Sequence, residues 1–204
     1  QMPSSSVKNT VDILIKGYVD GRRATGTVTL VNMMEHGLIL VDAGDPWNGD
    51  ELREKLKERG YTPDQVDVVV ITHGHIDHCG NVSMFKKARF FMDGDCATKG
   101  VRGGEYEQSK FIEEDMHYLT PLVWIERRVG HTASDLIVVV GHSDRGGITV
   151  VAGDLFEDEN DEEKWKENSQ YPEEQETSRE YVRQKADWIV PGHGDIFKVN
   201  KGVL

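Results

Sequence analysis

Short apolar runs predict strands in both halves of the chain. They lie at 11–18, 26–32, 38–42, 66–72 and 88–93 in the first half, and at 123–129, 136–140, 148–152 and 188–190 in the second. The run at 66–72 is almost wholly apolar and rich in valine, which is typical of a strand covered on both faces. Because strands outnumber helices and helices occur in both halves, the pattern predicts two packed sheets flanked by helices.

Two segments have the spacing or composition of surface helices. In 48–59, Leu52 and Leu56 lie four residues apart among charged residues, as on an amphipathic helix. Segment 172–185 contains good helix formers and begins with proline, which suits a first helical turn. A shorter helix is predicted at 81–87. The polar, glycine-rich segment 95–120 is predicted to be an irregular loop, and loops of that length are usually functional or mobile.

Length and composition indicate a globular protein. The 204 residues suit a single domain covering 1–204, and they include no apolar run long enough to span a membrane. Two cysteines do not form a disulfide framework, and the start of the chain lacks the pattern of a secretory signal. We therefore expect a cytoplasmic or nuclear protein with no membrane partner. The net charge of −12 argues against non-specific binding of nucleic acid.

Candidate chemistry begins directly after the apolar run at 66–72. His73, His75, Asp77 and His78 lie within six residues, first in a turn at the predicted strand end and then in a helix-like turn. Imidazole nitrogens and carboxylate oxygens are the ligands that zinc or iron accepts in proteins. This density of ligand-type side chains predicts a metal site.

Three further segments each end an apolar run in a glycine followed by a ligand-type residue. They are Gly130-His131, Gly153-Asp154 and Gly192-His193. Glycine permits close approach of the backbone, and a strand end holds a ligand rigidly. Each pair alone is a weak signal, but together with the histidine cluster they predict one composite centre.

The number of ligands predicts two metal ions, because seven exceed the needs of one tetrahedral zinc ion. We expect divalent ions, with zinc favoured and iron or manganese also compatible, and a hydroxide between them as nucleophile. Asp77 and Asp154 are therefore also candidate catalytic residues. The predicted division is His73, His75 and His131 on one ion and Asp77, His78 and His193 on the other, with Asp154 bridging.

The motifs H-G-H-I-D-H, G-H-T, A-G-D and P-G-H-G resemble the successive metal motifs of the metallo-β-lactamase superfamily. The resemblance implies an α/β fold, the four-layer αββα sandwich, with the metals at one edge. It assigns the seven positions above to the family's metal ligands. Asp42 resembles the family's buried aspartate that braces the metal loop by hydrogen bonds. Segments 39–47, 69–81, 150–165 and 186–197 narrow the resemblance to one branch within the glyoxalase II-like part of the superfamily.

That branch implies an endoribonuclease that cleaves histone pre-mRNA at its 3′ end, and it also implies a homodimer. RNA would then contact basic residues among Lys99, Arg102, Lys110, Arg127 and Arg128. Charge argues the other way, because an acidic run, predicted to be a solvated loop, occupies 157–163. In either case, loops 94–118 and 155–171 are expected to select the substrate.

Three alternatives stay open beside the nuclease. One is a hydrolase of small thioesters or lactones of the glyoxalase II type, with an ester or thioester as substrate. Another is an iron-dependent persulfide dioxygenase, which needs only His73, His131 and Asp154. The last is a non-catalytic binding module. The complete second ligand set argues against the last two, and the ligand pattern does not favour hydrolysis of β-lactam antibiotics.

Overall fold

The computed structural model describes residues 8–100, 106–110 and 116–201. The helices within these residues are α1 (Gly49–Glu58), α2 (Ile76–Cys79), α3 (Trp165–Asn168) and α4 (Pro172–Lys185). The strands are β1 (Thr10–Ile15), β2 (Tyr18–Asp20), β3 (Arg23–Thr25), β4 (Val28–Asn32), β5 (Leu38–Val41), β6 (Val68–Ile71), β7 (Arg89–Met92), β8 (Asp95–Lys99), β9 (Tyr106–Lys110), β10 (Met116–Thr120), β11 (Val123–Arg128), β12 (Asp135–Val140), β13 (Thr149–Gly153), β14 (Trp188–Pro191) and β15 (Phe197–Lys198).

Two large mixed sheets form the body of the molecule. The first has the order β1-β4-β5-β6-β7-β8-β9, with β5, β6 and β7 parallel at its centre. The second has the order β10-β11-β12-β13-β14-β15, in which β13 and β14 are parallel. Strands β2 and β3 form a separate hairpin. The aliphatic runs of β5 and β6 are buried along their whole length, as central parallel strands require.

Apolar side chains fill three layers of contact between four layers of structure. The central cluster joins both sheets and contains Val31 and Val70 from the first and Ile125 and Val138 from the second. A second cluster packs α1 on the outer face of the first sheet, and a third packs α4 on the second sheet. Helix, sheet, sheet and helix therefore stack in that order, which confirms the predicted αββα sandwich.

Most predicted elements are present, with ends that differ by one or two residues. The helices expected at 48–59 and 172–185 are α1 and α4, and the short helix expected at 81–87 is a single 3₁₀ turn, Val82–Met84. The run at 11–18 is interrupted, because β1 ends at Ile15 and the hairpin of β2 and β3 begins at Tyr18. Local apolar spacing did not reveal that hairpin, whose two strands are largely exposed.

The prediction of an irregular loop at 95–120 is wrong. The described residues of this segment form β8, β9 and β10, which pair with one another or with a neighbouring sheet strand. Strands of a polar sequence can be stabilised by backbone hydrogen bonds to a neighbouring strand. Because such strands lack alternating apolar residues, the sequence pattern did not predict them.

The prediction of a solvated acidic loop is also wrong for two of its members. Glu157 and Asp161 are 7% and 4% exposed. Asp161 accepts hydrogen bonds from the backbone amides of Glu157 and Trp165, at 3.1 and 2.9 Å, and lies beside the buried guanidinium of Arg179. These buried carboxylates hold the segment together through hydrogen bonds, whereas in a solvated loop they would be exposed to water.

No helix within the described residues is long and apolar enough to cross a membrane.

Candidate metal centre

The predicted ligands lie in turns at one edge of the sandwich. The histidine cluster follows β6 of the first sheet and continues into α2. The other three ligands follow β11, β13 and β14 of the second sheet, and these three strands point in the same direction. Strands that run in one direction end at one edge, so residues far apart in the chain meet there.

The first group consists of three imidazoles around a common point. His75 Nδ1 lies 3.0 Å from His73 Nε2 and 3.0 Å from His131 Nε2. Asp154 Oδ2 lies 3.5 Å from the same atoms of His73 and His131. His73 and His131 are buried and His75 is exposed, so the group opens to solvent on the side of His75.

The second group lies on the other side of Asp154. Asp77 Oδ2 is 3.8 Å from His78 Nε2 and 3.8 Å from His193 Nε2. Asp154 Oδ1 is 3.2 Å from His78 Nε2, and its Oδ2 is 3.2 Å from His193 Nε2. Asp154 therefore reaches both groups, in the position that the sequence predicted for a shared ligand.

At three of the histidines, the ring nitrogen that faces away from the centre contacts an oxygen of the protein. Thr72 Oγ1 is 3.1 Å from His73 Nδ1, Asp42 Oδ2 is 2.7 Å from His78 Nδ1, and the carbonyl oxygen of Thr25 is 3.0 Å from His193 Nδ1. A partner on the outer nitrogen orients the ring and favours a lone pair on the inner one, as in known metal sites.

Two inner atoms of the centre face each other at 3.2 Å without the geometry of a hydrogen bond. Among the described residues, the buried atoms His78 Nε2 and Asp154 Oδ1 have no hydrogen-bond partner. Buried polar atoms are rarely left without a partner in a native fold unless an ion or water satisfies them. The donor set and these two atoms therefore fit divalent cations, and the His and Asp residues are positioned to bind metal.

Asp42 braces the centre from below. Its φ of 61° is in the left-handed region, which aspartate tolerates better than most residues. From that turn its carboxylate accepts hydrogen bonds from the Thr72 backbone amide at 2.7 Å and the Thr72 hydroxyl at 2.8 Å, besides its contact with His78. The carboxylate thus connects β5, β6 and α2, which agrees with the bracing role that the resemblance implied.

Charge in the centre is set by burial and by neighbouring ligands. Burial raises the pKa of Asp154, but the charges of His78 and His73 outweigh it and hold the pKa well below its usual range. Burial lowers the pKa of His131 to about 4, although Asp154 opposes the shift. A carboxylate and a neutral imidazole are the forms that bind metal.

Glu157 is a residue of the centre that sequence reasoning did not identify. Its Oε2 lies 3.9 Å from His193 Nε2, and its Oε1 accepts a hydrogen bond from Asn168 at 2.9 Å. Burial, together with the charge of Asp154, raises the pKa of Glu157 to about 7. The only signal in the sequence was membership of the acidic run, which gave no reason to single out one carboxylate of six.

Helix α4 holds two ligand-bearing turns through polar groups on its buried face. Gln175 Nε2 donates to the carbonyl oxygen of Asp154 at 2.9 Å, and Ser178 Oγ donates to that of Val129 at 2.8 Å. Gln175 is fully buried. A helix whose buried face is polar looks like a surface helix in sequence, so this positioning role was not predicted.

Close packing explains one glycine at the centre. A Cβ at Gly192 would overlap the carboxylate of Asp154. The side chain that spans both groups therefore needs glycine at the position before His193.

A cavity of about 260 Å³ opens onto the centre. The ligands His75, Asp77, His131, Asp154 and His193 line it with Val19, Ala24, Glu157 and Asn168. Residues of the β2–β3 hairpin and three carboxylates therefore line the same opening.

The basic residues proposed to contact RNA lie elsewhere or outside the described residues. Arg102 falls outside them, as does the side chain of Lys110. Lys99 is in β8, and Arg127 and Arg128 are in β11. Among the described residues, the cavity lining contains no lysine or arginine. Arg128 is paired with Glu126.

Comparisons with known proteins show a family match and similar folds. The Metallo-beta-lactamase superfamily matches residues 21–193. The chain is 37% identical to Metallo-beta-lactamase domain-containing protein 1 of Xenopus laevis, over 95% of this chain and 83% of the relative. It is 32% identical to the N-acyl homoserine lactonase AiiB of Agrobacterium fabrum over 36% of this chain and 28% of that protein. Its fold is similar to B. thuringiensis AiiA with N-decanoyl-L-homoserine bound at the active site, with a TM-score of 0.64, 17% identity and coverage of 91% and 92%.

Proposed function

The chain belongs to the metallo-β-lactamase superfamily, and we propose on that premise that it is a two-metal hydrolase that cleaves phosphodiester bonds in RNA. The observation that carries the metal-dependent part is the placement of Asp154. Its two oxygens lie 3.2 to 3.5 Å from inner nitrogens of four histidines in two groups. A single shared carboxylate between two imidazole groups is the arrangement that a pair of cations needs.

Two bound divalent ions would supply Lewis acidity and make hydroxide available as nucleophile near neutral pH. His75 is exposed and the Asp77 side chain is 23% exposed, whereas the other ligands are buried. Substrate would therefore approach from the side of these two residues. In this proposal the partly exposed carboxylate of Asp77 would also accept the proton that the attacking water releases.

RNA as substrate is supported by the branch that the chain resembles. The similarity to Metallo-beta-lactamase domain-containing protein 1 covers 95% of this chain, and that branch implies cleavage of histone pre-mRNA. Three carboxylates line the cavity, and their charge would repel a phosphodiester unless cations offset it. The proposal therefore requires that RNA binding itself depend on metal.

A specific observation favours a second candidate, a hydrolase of lactones or thioesters. The cavity has a volume of about 260 Å³, and the apolar side chains of Val19 and Ala24 form part of its wall. A small uncharged acyl group fits such a wall better than a polyanion does. The local similarity to a lactonase points to the same chemistry.

One experiment separates the two candidates. Metal-stripped protein is reloaded with two equivalents of Zn²⁺ or Mn²⁺, then incubated with end-labelled single-stranded RNA, an N-acyl homoserine lactone or a glutathione thioester. We expect RNA cleavage that is lost in His75→Ala and Asp154→Ala and retained in His36→Ala, which alters an exposed histidine away from the centre. Turnover of the lactone or thioester alone would replace the nuclease with the second candidate. Absence of metal binding would overturn both.

A further inference from the structure

We propose that Glu157 is an additional metal ligand, which gives the second group a third carboxylate oxygen. This inference rests on the proposed two-metal centre. With Glu157 as a ligand, the two groups are expected to prefer different metal ions.

Distances place Glu157 within reach of the same ion as His193. Two ligands about 2.1 Å from one ion are about 3.0 Å apart at a right angle and about 4.2 Å apart when opposite. The separation of 3.9 Å between Glu157 Oε2 and His193 Nε2 falls in this interval. It is nearly the same as the 3.8 Å between Asp77 Oδ2 and His193 Nε2. Asp154, Glu157 and His193 form one group of ligand atoms within 4.8 Å of one another, and Asp77, His78 and His193 form another, so that His193 belongs to both.

The backbone and one carboxylate oxygen of Glu157 are held in place, as for a positioned ligand. The His193 amide donates to the Glu157 carbonyl at 2.8 Å, and the Glu157 amide donates to Asp161. Asn168 holds Oε1, while Oε2 is the oxygen nearest His193. A carboxylate that only solvated the loop would be exposed, whereas the Glu157 side chain is 9% exposed and has a donor on its outer oxygen.

The two groups consequently differ in chemistry. The first has three imidazoles and the shared Asp154, a set that suits four-coordinate zinc. An ion at His193 that is held by both groups would have two imidazoles and three carboxylates, and oxygen-rich sets suit manganese and other hard cations of higher coordination number. Glu157 should therefore narrow the preference of the second group for Zn²⁺ over Mn²⁺.

The test is a titration of the metal-stripped full chain with Zn²⁺ and with Mn²⁺. Binding is measured by calorimetry and, for Mn²⁺, also by electron paramagnetic resonance. The variants are Glu157→Asp, which keeps the charge but withdraws the oxygen by about 1.5 Å, and Glu157→Gln, which removes the charge. The matched control is Glu159→Gln, which removes an exposed charge from the same loop. Thermal unfolding of each metal-stripped variant verifies folding.

We expect both Glu157 variants to bind the second Mn²⁺ at least about tenfold more weakly, with a smaller loss for Zn²⁺ and an unchanged first ion. Glu159→Gln should match the wild type. If Glu157→Asp behaves as wild type, or if Glu157→Gln weakens both metals equally, Glu157 acts only through charge and the inference is overturned.

Two further results complete the test. If the Glu157 variants do not fold, Asn168→Ala, which removes the donor to Oε1, should shift the metal preference in the same direction. A wild-type titration that reaches fewer than two ions would instead overturn the two-metal proposal itself.

Discussion

Asp42→Asn tests whether the brace beneath the centre contributes to both stability and metal binding. Asp42 is 2% exposed, and its carboxylate contacts three groups: the amide and hydroxyl of Thr72 and the ring of His78. Asparagine has the same shape and also tolerates the left-handed backbone conformation at φ 61°. The substitution therefore replaces one acceptor oxygen without adding backbone strain.

The expected loss follows from the atoms involved. Oδ2 faces both the Thr72 hydroxyl and His78 Nδ1, and an amide nitrogen in its place accepts from neither. A hydrogen bond to a charged group contributes about 1.5–3 kcal/mol, and a buried group left without a partner costs about 1–3 kcal/mol. We therefore expect a loss of about 2–5 kcal/mol in the free energy of unfolding. Freeing the His78 ring should also weaken metal binding by about 10- to 100-fold.

Urea unfolding of the metal-stripped protein measures the first quantity, and calorimetric titration with Zn²⁺ measures the second. The control is Asp67→Asn, an exposed carboxylate that accepts one backbone hydrogen bond, from Leu38 at 2.8 Å. We expect the control to lose no more than about 1 kcal/mol and to bind Zn²⁺ as the wild type does. An Asp42→Asn protein with wild-type stability and affinity would refute the reasoning.

Three further predictions concern acid, glycine and chelation. Burial raises the pKa of Glu126, but hydrogen bonds from Arg128, Lys185 and two aromatic side chains lower it from 4.5 to about 2. The ionised Glu126 should contribute up to about 3 kcal/mol to the free energy of unfolding above pH 4.5, and this contribution should be lost as pH falls toward 2. Urea unfolding should therefore show that Glu126→Gln loses less stability than the wild type between pH 4.5 and 2. Gly192→Ala should displace Asp154 and abolish uptake of the second ion in a titration; two ions bound normally would contradict this. Chelation should lower the melting temperature, because ions at a thousand times their Kd stabilise by about 4 kcal/mol each; a temperature unaffected by chelator would argue against metal in the folded protein.

The sequence alone predicted both the layer architecture and the seven candidate ligands. A strand that is almost wholly apolar must be packed against other elements on both of its faces. Ligand-type residues that directly follow such runs must therefore lie at strand ends. His73, His75, Asp77 and His78 are local in sequence, and Gly130, Gly153 and Gly192 marked the others. These signals need no knowledge of which strands are neighbours.

Tertiary structure decided what holds and surrounds those ligands. The Thr25 carbonyl on His193, Gln175 beneath Asp154 and Glu157 beside His193 are contacts between residues 21 to 168 positions apart in the chain. The resemblance, not the pattern, suggested Asp42, whose partners lie 30 and 36 residues away. A buried polar residue is stabilised by its hydrogen-bond partner, and a one-dimensional pattern of polarity records the residue but not the partner. For that reason the sequence identified Glu157 only as one acid among six, and the fold alone placed it beside the candidate metal centre.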